Sequence, residues 1–453
     1  MDIAKRMGEI NDSPIRKFYG LANEAEKNGK KIYYLNIGQP DIQTPSEFFK
    51  AVKGFNQSVL AYAPTEGIPE LREAISNYYK RLGIAYEPTD VLVTTGGSEA
   101  LVMTFMSILN PGDEVIIPEP FYPNYSTFIK EAGGKITPLT TKVNEGYSYA
   151  DRKKIEAVIT DKTKAFCLGS PANPTGSVLS KEDMRLICDI AKENDMYIIA
   201  DEVYREFLYD GAELSSFGMF EDMYDHVIMI DSVSKRFSLC GARIGCLATK
   251  NSEIMKAAVK LAQSRLSVAT LDQVGSAALY NLDASYYDNV REEYEERRDV
   301  LYKALKKIDG VECKPPKGAF YITVKLPVPD AEEFLVWLLS KFSYDGASVM
   351  FAPAKDFYTT EGLGKDEVRL AYVLNKEDLL KAADILKYGI SELAPDEAAG
   401  LEVVEVLSDG DGGDVGDSGE LGDGDAAGAD DGLEKGELTS THGVHAPFLA
   451  HEA

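Results

Sequence analysis

The stretch VIMIDSVSKRFSLCGARIGCLAT, residues 227–249, holds two apolar runs around a polar turn. Each run reads as a strand. Runs of the same kind recur on either side: VLVTT (91–95), DEVIIPEP (113–120), KAFCLGSP (164–171) and MYIIADEVY (196–204). Between several of them lie amphipathic segments such as SKEDMRLICDIAKEND (180–195). Near-continuous apolar strands spaced by helices indicate an α/β fold, a mostly parallel sheet with helices on both faces.

This pattern runs from about Pro45 to Ser285, so residues 45–285 are expected to form one large domain. After Tyr286 it changes. A long charged segment, YYDNVREEYEERRDVLYKALKKI, leads into CKPPKGAFYITVKL, further helices and EVRLAYV. Residues 286–395 therefore read as a smaller α+β domain, with the N-terminal segment 1–44 packed back against it. Composition shifts again near Gly400. Residues 401–453 carry 14 Asp/Glu and one Lys, about half of the chain's net charge of −26. The Gly/Asp-rich stretch 400–453 has too little apolar content to offset its chain entropy, so a disordered acidic tail is expected. It fits neither a DxDxDG calcium loop with its closing Glu nor an acidic nonapeptide repeat.

Several function classes are excluded at this level. No run of about 18 apolar residues exists, so no membrane helix is expected. The N-terminus lacks a secretory apolar run and is too acidic for a typical transit peptide, which makes the cytoplasm the expected location. The acidic balance without a basic patch argues against nucleic acid. The five cysteines show neither CxxC pairing nor metal-ligand spacing and read as reduced thiols, most of them buried; no metal site is expected. Three of the four histidines, His442, His445 and His451, fall at the C-terminal end, leaving His226 alone in the body. A histidine-based hydrolase would rest on that one residue, so the chemistry must run mainly on other groups or on a cofactor.

Ligands of an open parallel sheet bind beyond the carboxyl ends of its strands, so polar residues just after the apolar runs are the ones to inspect. Gly96, Gly97 and Ser98 follow VLVTT and open a helix. They could cradle a phosphate, or simply make a tight turn. Asp201 and Tyr204 follow MYIIA. A carboxylate there needs a cation, a cap or an ion pair to offset its burial. Lys235 follows VIMID among small hydroxyl residues, with Arg243 eight residues on. A buried lysine loses its charge readily, and a neutral amine forms Schiff bases. The arginine's planar fork suits a phosphate.

Segment 232–245 resembles the pyridoxal-phosphate (PLP) attachment signature of the class I/II aminotransferases, and the likeness extends over about residues 12–395. It implies PLP fold type I, with Lys235 holding the cofactor as a Schiff base and moving the proton at Cα. It also implies that Asp201 pairs with the protonated ring nitrogen, while Tyr204 and Asn173 (Ala172-Asn173-Pro174-Thr175-Gly176) meet the ring oxygen. Tyr122 takes the place of the stacking aromatic, often a tryptophan in relatives. By the same resemblance, Gly97, Ser98, Ser232 and Arg243 would hold the phosphate. Tyr62, in AYAPTEGIPELREAI, resembles the tyrosine that reaches the phosphate from the neighbouring subunit, which implies a homodimer. Arg369, in EVRLAY, matches the arginine that grips the substrate α-carboxylate, with Gly38 closing over the same group.

The amino acid itself is less legible. Aspartate would need a second cation, and Arg265, Arg16 and Lys17 are candidates without a motif behind them. Arg265 reads rather as a surface or interface charge. The overall likeness to bacterial-type aspartate aminotransferases favours aspartate and 2-oxoglutarate as the amino acid and 2-oxo acid. Alanine or aromatic amino acids, or a PLP β-lyase on the same fold, are the alternatives.

Overall fold

The computed structural model describes residues 3–10 and 13–393. The expected disordered tail, 400–453, lies outside the described residues. Among these there are thirteen strands. In chain order they are β1 Lys31–Tyr34, β2 Val91–Thr95, β3 Glu114–Glu119, β4 Lys135–Thr140, β5 Thr163–Gly169, β6 Tyr197–Asp201 and β7 Val227–Ser232. They continue with β8 Ile244–Ala248, β9 Glu312–Cys313, β10 Tyr321–Lys325, β11 Ala347–Met350, β12 Ala352–Pro353 and β13 Glu367–Ala371.

Seven strands make the central sheet in the order β2-β8-β7-β6-β5-β3-β4. The pairs from β7 through β4 are parallel, and β8 runs antiparallel between β2 and β7. All six apolar runs of the sequence are strands of this sheet. Successive side chains of a strand face opposite sides, and here both sides are packed. Val93, Ile116, Phe166, Ile198 and Met229 enter one core. Leu92, Val115, Cys167, Ile199 and Ile230 enter the other. That two-sided burial is why the runs are apolar throughout instead of alternating.

β4 escapes the sequence reading. It lies at the sheet edge, and only Leu139 of its six residues is fully buried. An edge strand tolerates Pro138 and several polar side chains, so KITPLT carries no strong strand signal. The expected helix at 180–195 is Lys181–Glu193, and its start is legible: Ser180 and Asp183 form a reciprocal capping box.

A third core gathers Phe18, Ile32 and Leu35 with Phe207, Leu301, Phe334, Val349 and Leu370. Around it β12-β13-β10-β9 form an antiparallel sheet, and β1 pairs in parallel with β11. Tyr204 and Phe207 follow β6 yet belong to this core. The carboxyl end of β6 is thus where the third core meets the central sheet. All five cysteines are free, four of them buried. No helix among the described residues is long and apolar enough to cross a membrane.

Candidate active site

β7 is buried along its whole length and ends at Ser232. Ser232 caps the short helix Val233–Arg236: its Oγ accepts from the Ser234 amide at 3.1 Å. Beneath this turn Asp231 accepts from Arg236 Nη2 at 2.9 and 3.0 Å and from Arg205 Nη1 at 3.0 Å. Burial pushes the Asp231 carboxyl up, but the two guanidiniums outweigh it and hold the group below its ordinary value. Lys235 stands on this anchored turn. Its Nζ donates to the Gly38 carbonyl at 2.9 Å.

Asp201 ends β6, buried. Its carboxylate accepts from the Tyr125 hydroxyl at 2.6 Å and the Val203 amide at 3.3 Å. Both donors are neutral. Burial pushes the carboxyl up to about 6, with Tyr125 and Val203 pulling against it. A buried carboxylate met only by neutral donors fits a protonated ring nitrogen. Tyr204, also buried, meets the Tyr321 hydroxyl at 2.7 Å, and burial pushes its own hydroxyl well up, keeping it a neutral donor. Tyr122 stands nearby with its ring perpendicular to Tyr125 at 5.5 Å, and its hydroxyl accepts from Asn124 at 2.8 Å.

The helix Gly96–Ile108 opens directly after β2. Gly96 has a φ of +70°, and a Cβ there would lie 2.5 Å from Arg243 Nη2. The Arg243 guanidinium therefore lies against the helix N-terminus. A Cβ on Gly245 would lie 2.5 Å from the Gly96 carbonyl carbon and 2.7 Å from the Gly97 nitrogen, so β8 packs backbone to backbone on the same turn. Arg243 donates to the Cys240 carbonyl at 3.0 Å. Gly97 and Ser98 are the next residues of the helix's first turn, whose amides have no intrahelical partner. The helix end and the guanidinium together make a cradle that fits a phosphate dianion. The Ser232 hydroxyl is engaged beside it, donating to the Ile244 carbonyl at 3.0 Å.

Arg369 on β13 is 1 % exposed. Nη1 donates to Asn173 Oδ1 at 3.0 Å, Nη2 donates to the Asn36 carbonyl, and buried Nε has no partner. Its ring neighbours are Tyr321, 4.5 Å from the guanidinium, and Phe357 at 5.3 Å. Burial lowers its pKa. A guanidinium held by neutral partners with an N–H to spare fits a carboxylate. Gly38 closes over this region, since a Cβ on it would fall 1.7 Å from the Tyr321 hydroxyl.

The structure thus brings Lys235, Gly38, Tyr204, Arg369 and Asn173 into one connected cluster, with Asp201 and Tyr122 beside it. Gly97, Ser98, Ser232 and Arg243 lie at the neighbouring strand ends. Tyr62 is not part of it: the residue is 80 % exposed in the single chain. Arg265 is taken up by Glu99, at 3.2 Å, and by the carbonyls of Val93, Thr65 and Leu266. Lys17 pairs with Glu332 at 2.9 Å, and Arg16 is exposed.

Sequence reasoning missed Tyr125, Tyr321 and Asn36. Tyr125 lay within the run FYPNY beside Tyr122, and Tyr321 within GAFY at the start of an apolar strand. Asn36 joins through its backbone carbonyl, which no side-chain pattern reveals.

A family model described as aminotransferase class I and II matches residues 30–386. An aspartate aminotransferase of Pyrococcus horikoshii is 33% identical over 388 residues, 84% of this chain and 95% of that protein. An aspartate/prephenate aminotransferase of Thermus thermophilus is 33% identical over 390 residues, 84% of this chain and 97% of the relative. Among solved structures, the aspartate aminotransferase from Thermus thermophilus with maleate has a TM-score of 0.77 at 30% identity, covering 86% of this chain and 100% of that one.

Proposed function

The chain belongs to the class I and II aminotransferases, and from that premise we propose that it carries the α-amino group of aspartate to 2-oxoglutarate in two half-reactions. It is a PLP-dependent transaminase. When bound, the cofactor supplies an electron sink for the charge that develops at Cα. The aspartate assignment is supported by the names of the relatives, and by the Thermus structure having been solved with maleate.

The observation that carries the site reading is the convergence of Lys235 with two buried charged groups, Asp201 and Arg369, whose protein partners are all neutral. On this reading Lys235 holds the cofactor, then takes and returns the proton at Cα. Asp201 keeps the ring nitrogen protonated. Tyr204 and Asn173 donate to the ring oxygen, and Tyr122 stacks on the ring face. The Gly97 and Ser98 amides, Ser232 and Arg243 hold the phosphate. Arg369 orients the substrate carboxylate with Gly38 and Asn173, which sets the Cα–H bond against the ring. Residues 45–285 form the PLP-binding domain, and 1–44 with 286–395 the smaller one. The working enzyme is a cytoplasmic homodimer to which each subunit lends Tyr62 across the interface.

Single amino acids added without acceptor test the substrate, followed by the visible band of the loaded enzyme. Aspartate should bleach the band and 2-oxoglutarate restore it, and Lys235→Ala should show neither. Bleaching by alanine or aromatic amino acids alone would overturn aspartate.

A further inference from the structure

We propose that Tyr321 is a positioning residue of this site, setting the donor that meets the cofactor's ring oxygen and the cation that grips the substrate carboxylate. The inference rests on the roles proposed above for Tyr204, Arg369 and Lys235.

Tyr321 is 2 % exposed at the start of β10. In the antiparallel pairing of β10 with β13, Thr323 lies opposite Arg369 and Tyr321 opposite Ala371. Tyr321 and Arg369 are therefore diagonal neighbours on one face of the sheet, within reach of long side chains. The Arg369 guanidinium sits 4.5 Å from the Tyr321 ring centre. That contact holds the cation by its face and leaves its N–H edge for a carboxylate. The other end of the same side chain reaches Tyr204, hydroxyl to hydroxyl, at 2.7 Å. The hydroxyl also abuts Gly38, where any Cβ would collide with it at 1.7 Å. Gly38 is in turn the residue whose carbonyl accepts from Lys235 at 2.9 Å. One phenol thus touches the neighbours of all three reacting partners.

A proton count gives the hydroxyl pair a direction. Tyr204 has a single O–H. If it donated to Tyr321, it would have none for the ring oxygen. With Tyr321 donating to Tyr204, the Tyr204 hydrogen is free to point into the site, and the two bonds polarise each other in sequence. Removing the Tyr321 hydroxyl weakens the second bond and lets Tyr204 swing. With the cofactor bound, a weaker donor would leave more electron density on its ring oxygen, and so would raise the pH at which the Lys235 nitrogen gives up its proton.

The test is a pH titration of the visible band in the loaded enzyme. Tyr321→Phe keeps the ring and removes only the hydroxyl. Its midpoint should move upward by a few tenths of a pH unit, in the same direction as Tyr204→Phe and by less. Adding Tyr321→Phe to Tyr204→Phe should produce no further shift, because the effect runs through the Tyr204 hydroxyl. Tyr321→Leu also removes the ring beneath Arg369, and should raise KM for the amino acid roughly five- to ten-fold over Tyr321→Phe. A midpoint indifferent to Tyr321→Phe, or a shift of equal size with and without the Tyr204 hydroxyl, overturns the inference while the site reading stands. A wild-type band that does not titrate, or one that survives Lys235→Ala, overturns that reading and the inference with it.

Discussion

Asp201 pairs a charge with a place where charge is costly. Its carboxyl binds its proton more tightly in the folded chain, at about 6, than in the unfolded one. Below pH about 4 the group is protonated in both states and contributes nothing. As pH climbs toward 6 the unfolded chain loses the proton first, so the folded, cofactor-free chain loses stability, by roughly 3 kcal/mol in all. Asp201→Asn should flatten that slope in urea unfolding of the cofactor-free chain between pH 4 and 7. An unchanged slope would mean that the carboxyl is not desolvated. Reloading the wild type with cofactor should have the same flattening effect if, as proposed, the protonated ring nitrogen then meets the carboxylate. Asp201 and Lys235 stood out in the sequence as candidates because a charged residue just after an apolar run is locally conspicuous, whereas Arg369 was singled out only by the family resemblance. Tyr125 and Tyr321 were not, because a tyrosine near an apolar strand reads as ordinary packing.

Among the elements, β8 matters most to the site's shape. It returns antiparallel between β2 and β7, and so lays Gly245 on the Gly96–Gly97 turn that opens the helix Gly96–Ile108. No side chain fits there: the Asp231 carbonyl also lies 2.9 Å from the Cβ position. Backbone on two sides cannot step aside as a flexible side chain can. Gly245→Ala should therefore cost about 2–3 kcal/mol of stability, read by denaturant unfolding. It should also weaken phosphate-dependent cofactor binding more than the Lys235 chemistry, separable by comparing loading with pyridoxal and with pyridoxal phosphate. The six apolar runs and the capped helix Lys181–Glu193 were legible because periodicity and capping are local. The direction of β8 was not, since a strand buried on both faces looks the same whichever way it runs.

On the scale of the whole molecule, Val59, Leu60 and Tyr62 are 69, 58 and 80 % exposed. Such an apolar stretch suits a subunit interface, and this supports the proposed homodimer. If Tyr62 serves the neighbouring site, two inactive variants should rescue each other. Lys235→Ala mixed with Tyr62→Ala gives heterodimers with one site built entirely of wild-type residues, so random pairing at equal amounts should restore roughly a quarter of the wild-type sites. No recovery on mixing, with heterodimers present, would place Tyr62 outside the site.

The amino-acid sequence by itself determined the α/β layering, the strand ends that carry charge, and the family resemblance around Lys235. These depend on spacing and on polarity within a few residues, which elementary periodicity expresses. Tertiary structure alone decided which neutral groups complete the site. Tyr125 reaches Asp201 across 76 residues, Tyr321 reaches Tyr204 across 117, and the Asn36 carbonyl reaches Arg369 across 333. It also committed Arg265 to Glu99. A hydrogen bond between distant segments depends on the path of the chain between them, and a tyrosine, an asparagine or a backbone carbonyl carries no local mark of the partner that the path will bring.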